Sequence, residues 1–257
     1  LPEFSLPRDL TSLHVGWGLL GWVGLLIFTV SYQVVPMFQV TPKYPNKMIA
    51  WLTPSVFIIL VALSVVTLGD FSSSDIGAGL ILFGELFCIT AFITFAVFTL
   101  WLQLKRRRKV PDVTMSFWRL GLMCLVIACL ISFGSALGFF SAVNLDLVVG
   151  VLMIVGFTMS LITGMLYKII PFLIWLHLTN AIDMRLRWQL KIPNMKKIIP
   201  DDGAQSQFIL HFVAIALLLM SLVANFLIPI AAGAFLVSNL YLAYNLIGGA
   251  RVYKRVL

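Results

Sequence analysis

The stretch SLHVGWGLLGWVGLLIFTVSYQVVPMF, residues 12–38, decides the fold. It contains no Asp, Glu, Lys or Arg. An uncharged apolar run of about 18 residues or more is typical of a helix that crosses a bilayer. Its apolar residues are continuous rather than alternating with polar ones, which argues against a β-strand. The stretch therefore predicts a transmembrane α-helix.

Six further apolar runs follow the first. The predicted spans are 12–38, 48–69, 75–104, 115–140, 146–177, 206–228 and 231–250. The composition agrees, because 61% of the 257 residues are hydrophobic and only 11% are charged. Soluble domains carry roughly 25% charged residues, so this chain has too little charge for a water-facing surface. We predict an all-α polytopic bundle in which residues 1–257 form a single transmembrane domain within a lipid bilayer.

The basic residues predict the orientation of this bundle. They lie in alternate connections and in the C-terminal tail: Lys43 and Lys47, the run KRRRK at 105–109, the loop 180–205 and the tail from Arg251. On the opposite side the only basic residue outside the predicted spans is Arg8, which precedes the first span. Lys and Arg accumulate in cytoplasmic loops, so we expect the N-terminus outside and the C-terminus in the cytoplasm. The net charge of +8 then follows from topology, and we expect no nucleic-acid partner.

His14 lies at the predicted outer end of the first helix. Gly16, Gly18, Gly21 and Gly24 follow it, and glycines at this density allow a neighbouring helix or a flat cofactor to approach the backbone closely. One interpretation is that the glycines serve helix packing and His14 makes an interfacial hydrogen bond. The other is that His14 is an axial heme ligand or a metal ligand, which is a common role of neutral imidazole.

The other two histidines are predicted near the cytoplasmic side. His177 ends the fifth predicted span, and His211 follows shortly after the start of the sixth. Their convergence on one metal ion or one heme iron is a hypothesis that competes with two ordinary interfacial histidines. His14 is predicted at the opposite face of the membrane, so it is not expected to join them.

Few other ionisable side chains lie inside the predicted spans. Such residues are functional candidates because burying their charge in lipid is costly. Glu85 is the sole carboxylate near the middle of the membrane, and Lys168 lies just inside the cytoplasmic boundary. Glu85 and Lys168, with Tyr32, form an alternative site for transport or proton relay. Lys168 is otherwise expected to extend to the interface or to pair with Glu85 or a cofactor propionate.

Two segments carry a resemblance to a known family. LHVGWGLLGWVGLLIFTVSYQVVPMF at 13–38 and GMLYKIIPFLIWLHL at 164–178 resemble segments of bacterial membrane proteins related to heme–copper oxidase subunit I, including the nitrosative-stress heme–copper proteins. In that family a His followed by Gly near the outer face ligates the low-spin heme. The resemblance implies that role for His14 if one helix precedes Leu1, and it implies a bacterial inner membrane.

The chain departs from that family at the copper site. The resemblance would require a His and a Tyr on the helix that corresponds to the fifth span, which has Tyr167 and Lys168 but no histidine at mid-helix. The sixth span has only His211, and a late His-x-His helix is absent. The resemblance therefore implies a degenerate member that binds heme or a metal ion without an oxygen-reducing copper site.

Three functions remain open at this level. The first is a redox- or stress-related protein that binds heme or a metal ion. The second is an ion- or proton-coupled transporter, and the third is a non-catalytic scaffold subunit that contacts other subunits. No residue pattern predicts a catalytic site. The chain opens at Leu1 with a short polar lead, and we expect that preceding residues, with further helices, belong to the native protein.

Overall fold

The computed structural model describes residues 8–69, 74–107, 112–139, 144–181 and 194–256. Within these ranges it contains helices and no strand, and seven helices are long and apolar enough to cross a membrane. We number them α1 to α7. Their bounds are Leu10–Gln39, Asn46–Leu68, Asp75–Leu104, Val113–Ala136, Leu145–Asn180, Asp201–Ser221 and Asn225–Tyr253. The predicted all-α fold with seven spans is confirmed, and the chain is a multi-pass membrane protein.

The last two helices begin and end at positions that differ from the predicted spans 206–228 and 231–250. α6 begins at Asp201, five residues earlier, and the turn after it lies at 222–224 rather than around Pro229. Pro229 is the second residue of the α-helical part of α7, Ile228–Val256. A proline is tolerated there because the first N–H groups of a helix have no partner within it. His211 therefore lies at the centre of α6 rather than near its start.

Two of the long helices contain π-helical segments. Gly16–Gly24 lies within α1 and Leu152–Met159 within α5. A π-helix bonds each N–H to a carbonyl five residues back, and such segments are rare and frequent at functional sites. In α5 the Thr158 hydroxyl donates to the Met153 carbonyl, also five residues back, at 2.8 Å. The wider turn therefore has side-chain as well as backbone support.

The chain divides into two compact units. Unit 1 comprises Leu1–Lys109 and Leu122–Val149, and unit 2 comprises Val110–Gly121 and Gly150–Leu257. The core of unit 1 contains a cluster of phenylalanines. The ring of Phe28 lies 4.7 Å from that of Phe92 and 4.1 Å from that of Phe95, centroid to centroid. All three are almost fully buried, so they hold α1 against α3.

Polar contacts extend the packing of unit 1 towards the end of α1. The Gln103 amide donates to the Gln39 carbonyl oxygen at 3.0 Å, and the hydroxyls of Tyr44 and Thr99 lie 2.8 Å apart. Burial raises the pKa of the Tyr44 phenol, which keeps this hydroxyl protonated. Val40 directly follows α1, and its φ of 55° lies in the left-handed region. This conformation is strained for a β-branched residue.

Unit 2 is built around Phe117 near the start of α4. Its ring contacts those of Tyr167 on α5, at 6.1 Å, and Phe208 on α6, at 5.0 Å. Ile198 and Ile199, which precede α6, join the same buried cluster. The segment before α6 is therefore fixed to the ends of the spanning helices by apolar contacts.

Large apolar side chains remain exposed along most of the helices. Trp22 is 75% exposed, Ile76 78% and Val223 91%. A water-soluble protein would bury such residues, but lipid tails are as apolar as these side chains. The exposed surface thus agrees with an environment of bilayer.

Candidate functional site

His211 lies at the centre of α6, ten residues after its start at Asp201 and ten before its end. The side chain is 2% exposed. Its Nε2 lies 2.9 Å from the Ser160 hydroxyl on α5. Which of the two groups donates depends on the tautomer of the imidazole. The ring is therefore tied to the neighbouring helix through Ser160.

Two further polar contacts follow His211 towards the start of α6, each four residues from the last. The Gln207 amide is 3.4 Å from the Ser238 hydroxyl on α7. Beyond it, the Asn245 amide donates both to the Gly203 carbonyl and to the Tyr167 hydroxyl, at 3.0 Å each. Asn245 thus links α5, α6 and α7.

These contacts form three hydrogen-bonded groups in a row, which we call the polar seam and define by the seven residues Ser160, Tyr167, Gly203, Gln207, His211, Ser238 and Asn245. The spacing along the chain explains why they align. Residues four apart on α6, and seven apart on α5 and on α7, lie on one face of a helix. The seam runs from the start of α6 to its middle, which is half of its length.

An ion pair lies on the same side as the Tyr167 end of the seam. Lys168 on α5 pairs with Asp112 through Nζ and Oδ2, and the two side chains are 25% and 23% exposed. The other carboxylate oxygen of Asp112 accepts from the Thr114 N–H at 3.1 Å, so Asp112 also caps α4. A small cleft of about 260 Å³ opens beside this pair, lined by Asp112, Val113, Ser116, Gln205, Phe208 and Ile209.

Two buried polar atoms in unit 2 have no hydrogen-bond partner among the described residues. They are Oε1 of Gln207 and Nε1 of Trp118, in side chains that are 1% and 3% exposed. Buried polar groups nearly always have a partner in protein or ordered water.

The predicted pairing of His177 with His211 is wrong. His211 contacts Ser160, and His177 lies 17 residues further along the same helix. At 1.5 Å per residue this is about 25 Å. His177 is exposed, and its Nδ1 is 2.9 Å from the Leu173 carbonyl of its own helix. The error arose from the predicted start of α6 at 206, which placed His211 near the membrane surface rather than at mid-helix.

The predicted pairing of Lys168 with Glu85 is also wrong, because Lys168 pairs with Asp112. Glu85 lies in unit 1 and is exposed. Tyr32, also in unit 1, makes a hydrogen bond of 3.1 Å with the Thr53 hydroxyl of α2. Of the three residues predicted for a relay, Lys168 alone lies beside the polar seam.

His14 is exposed near the start of α1. A Cβ added to Gly16 or Gly18 would meet no atom within 4 Å, so this stretch of backbone is open. The neighbouring residues Leu13 and Trp17 line a groove of about 570 Å³ between α1 and α2. The groove is apolar apart from the Trp17 indole, which donates to the Ser64 hydroxyl at 2.8 Å.

The described part of the chain contains no group of three or more His, Cys, Asp or Glu side chains that could hold a metal ion. Cys88, Cys124 and Cys129 are free and buried. The residues described here therefore do not fit a resident metal ion held by the protein alone.

Sequence reasoning did not single out Ser160, Gln207, Ser238 or Asp112. A signal for the seam was present in the four-residue spacing of Gly203, Gln207 and His211. Serine and glutamine are uncharged, however, and they are common in transmembrane helices as isolated polar residues. Only the helix register shows that they meet.

Comparison of the chain with protein-family models, with curated proteins and with solved structures gives no match.

Proposed function

We propose that this protein is an ion- or proton-coupled membrane transporter in which the polar seam of unit 2 carries protons. One observation carries the proposal. A histidine that is 2% exposed lies at the centre of a spanning helix, within hydrogen-bond distance of a serine hydroxyl on the neighbouring helix. Polar side chains at this depth are costly and are commonly part of ion pathways or proton relays.

A purely stabilising role explains the polar seam less well than a role in proton transfer. Hydrogen bonds between transmembrane helices stabilise by only about 0.6 kcal/mol on average. The orphaned atoms of Gln207 and Trp118 lower even that gain, because an unsatisfied buried group costs about 1–3 kcal/mol.

The chemistry of the seam suits proton transfer. Imidazole accepts a proton on one nitrogen and releases one from the other, and the Ser160 hydroxyl both donates and accepts. Gln207, Asn245 and Tyr167 supply the polar contacts towards the Lys168–Asp112 pair. The second half of α6, FVAIALLLMS at 212–221, is apolar except for its last residue. We infer that protons reach His211 from the Lys168 side, which is the predicted cytoplasmic side of a bacterial inner membrane.

Proton flux into proteoliposomes tests this proposal. A potassium gradient with valinomycin sets the membrane potential, and a pH-sensitive dye inside the vesicles reports the flux. We expect wild-type protein to carry a measurable flux that falls at least tenfold in His211→Leu. His177→Leu is the matched control, since it removes an imidazole that is bonded only within its own helix. Absence of flux in folded wild-type protein, or equal flux in the two variants, would refute the proposal.

A second candidate function is heme binding at His14. The observation that favours it is the exposed imidazole beside open glycine backbone and the apolar α1–α2 groove. His14 would ligate the heme iron, and the α1–α2 groove would receive the apolar part of the porphyrin. The bound group would supply electron transfer or gas binding.

Absorption spectroscopy tests this second candidate. Purified protein incubated with hemin should show a stoichiometric Soret band that is lost in His14→Ala and kept in His177→Ala. A band of equal intensity in His14→Ala would exclude His14 as the ligand.

A further inference from the structure

Glu85 is an isolated carboxylate on an exposed face of a spanning helix. It lies ten residues into α3 from Asp75, which is about 15 Å along the helix axis. The residue is exposed. No hydrogen bond or ion pair reaches its carboxylate from any residue that the structure describes. In a bilayer this side chain therefore faces hydrocarbon or an unidentified neighbour.

The neighbouring residue fixes the direction of this face. Gly84 packs against α2, where an added Cβ would lie 2.6 Å from Leu63 Cδ2. Glu85 is the next residue and so points about 100° away from α2 around the helix. Ala78 and Leu82, seven and three residues earlier, are exposed on the same side. We call Ala78, Leu82 and Glu85 the Glu85 face.

A carboxylate on such a face requires a partner. A charged residue at mid-membrane is costly to insert, and residues of this kind almost always pair with another group. The required partner of the Glu85 carboxylate is a hydrogen-bond donor and, by charge complementarity, a cation. The small side chain of Ala78 leaves space for close approach of a second helix.

We propose that the Glu85 face docks a transmembrane helix of another protein that carries a lysine or arginine at the depth of Glu85. A second copy of this chain is the weaker occupant, because two carboxylates brought together repel or must share a proton. The docking does not depend on the polar seam, which lies in unit 2. On this proposal, α3 is the helix through which the protein assembles with its partner.

Fluorescence energy transfer in phosphatidylcholine vesicles tests this interface. The full chain carries a donor dye on Lys43→Cys. The acceptor is on synthetic 24-residue leucine–alanine helices that have Lys, Leu or Glu at their centre. We expect the Lys helix to associate about threefold to tenfold more tightly than the Leu helix, the range typical of one polar contact in a membrane. Glu85→Leu should reduce this ratio to about one.

Thr94→Leu is the matched control. Thr94 is a second exposed polar residue of α3, and its hydroxyl donates to the Thr90 carbonyl of the same helix. This variant should keep the preference for the Lys helix. Equal binding of the Lys and Leu helices by wild-type protein, or an unchanged preference in Glu85→Leu, would overturn the proposal. Self-association of two labelled copies that is lost in Glu85→Leu would also overturn it, because the occupant would then be a second copy.

Discussion

The Ser160 hydroxyl lies 2.9 Å from Nε2 of His211 and joins α5 to α6 halfway along α6. Both side chains are buried, at 0% and 2% exposure. Ser160→Ala would leave the imidazole nitrogen unsatisfied in the interior. We expect a loss of about 1 kcal/mol in the free energy of unfolding, as for the stronger hydrogen bonds between transmembrane helices. Denaturant titration in detergent micelles measures it.

A double-mutant cycle separates this contact from general effects of each change. Ser160→Ala with His211→Leu should show a coupling energy of about 0.6 kcal/mol or more. Ser160→Ala with His177→Leu should show none, because the two residues lie about 25 Å apart on one helix. Additive effects in the first cycle would argue against the Ser160–His211 bond.

Asn245 is expected to matter more for stability than Asn239 on the same helix. The Asn245 amide bonds α5 and α6 through Tyr167 and Gly203, whereas Asn239 donates only to the Phe235 carbonyl of its own helix. Asn245→Leu should lower the free energy of unfolding by about 1–2 kcal/mol. Asn239→Leu should change it by less than about 0.5 kcal/mol. Equal effects, measured in the same titration, would contradict this assignment.

In unit 1, replacing Gln39 and Gln103 together should preserve the stability of the fold, whereas replacing Gln39 alone should reduce it. One hydrogen bond joins the two side-chain amides. It leaves Gln39 Nε2 and Gln103 Oε1 without partners among the described residues. Gln39→Leu alone strands the Gln103 amide and should destabilise the fold by about 1–3 kcal/mol. Changing both residues to leucine removes both unsatisfied atoms of the pair. The midpoint of thermal unfolding should then return to the wild-type value or exceed it.

The glycines of α1 are expected to differ sharply in how well they tolerate substitution by alanine. A Cβ on Gly24 would overlap the ring of Phe92, whereas one on Gly18 would meet nothing within 4 Å. Overpacking typically costs about 1–3 kcal/mol. Gly24→Ala should therefore lower thermal stability, and Gly18→Ala should leave it within about 0.5 kcal/mol of wild type. A comparable loss for both variants would show that α1 and α3 do not pack through Gly24.

The orientation of the chain can be measured with single introduced cysteines. Lys43 and Asn225 are both exposed. Lys43 lies in a connection predicted inside, and Asn225 begins α7 directly after the turn 222–224, at the end of the bundle predicted outside. In intact cells a membrane-impermeant maleimide should label Asn225→Cys and not Lys43→Cys. The native cysteines are buried and give a low background. The reverse labelling pattern would overturn the predicted topology.

Hydropathy was sufficient to predict the seven helices because their apolar runs are long and uncharged. It failed at the start of α6, where the first residues, DDGAQ at 201–205, are polar but helical. A polar first turn lies at the membrane surface and does not contribute to the apolar run. The error of five residues placed His211 near the start of the sixth span rather than at the centre of α6, and the false pairing with His177 followed from it.

The candidate site was harder to predict for a different reason. His211 and Lys168 attract attention because they are ionisable, but their partners Ser160 and Asp112 are a neutral hydroxyl and a helix cap. The partner of a polar residue depends on the rotation of each helix about its axis. Apolar spans such as α5 and α6 contain little periodic pattern that would reveal this rotation. The residue pairs that join neighbouring helices could therefore be identified only from the structure.

The π-helical segment Leu152–Met159 sets the angular phase between the two ends of α5. A turn closed by i→i+5 hydrogen bonds holds about one residue more than a turn of α-helix. Deleting one residue from this segment would therefore return it to α-helical geometry and leave Ser160 and Tyr167 facing His211 and Asn245. The wider turn, with its Thr158–Met153 hydrogen bond, is thus a place where α5 can lose a residue without turning its polar face away from α6.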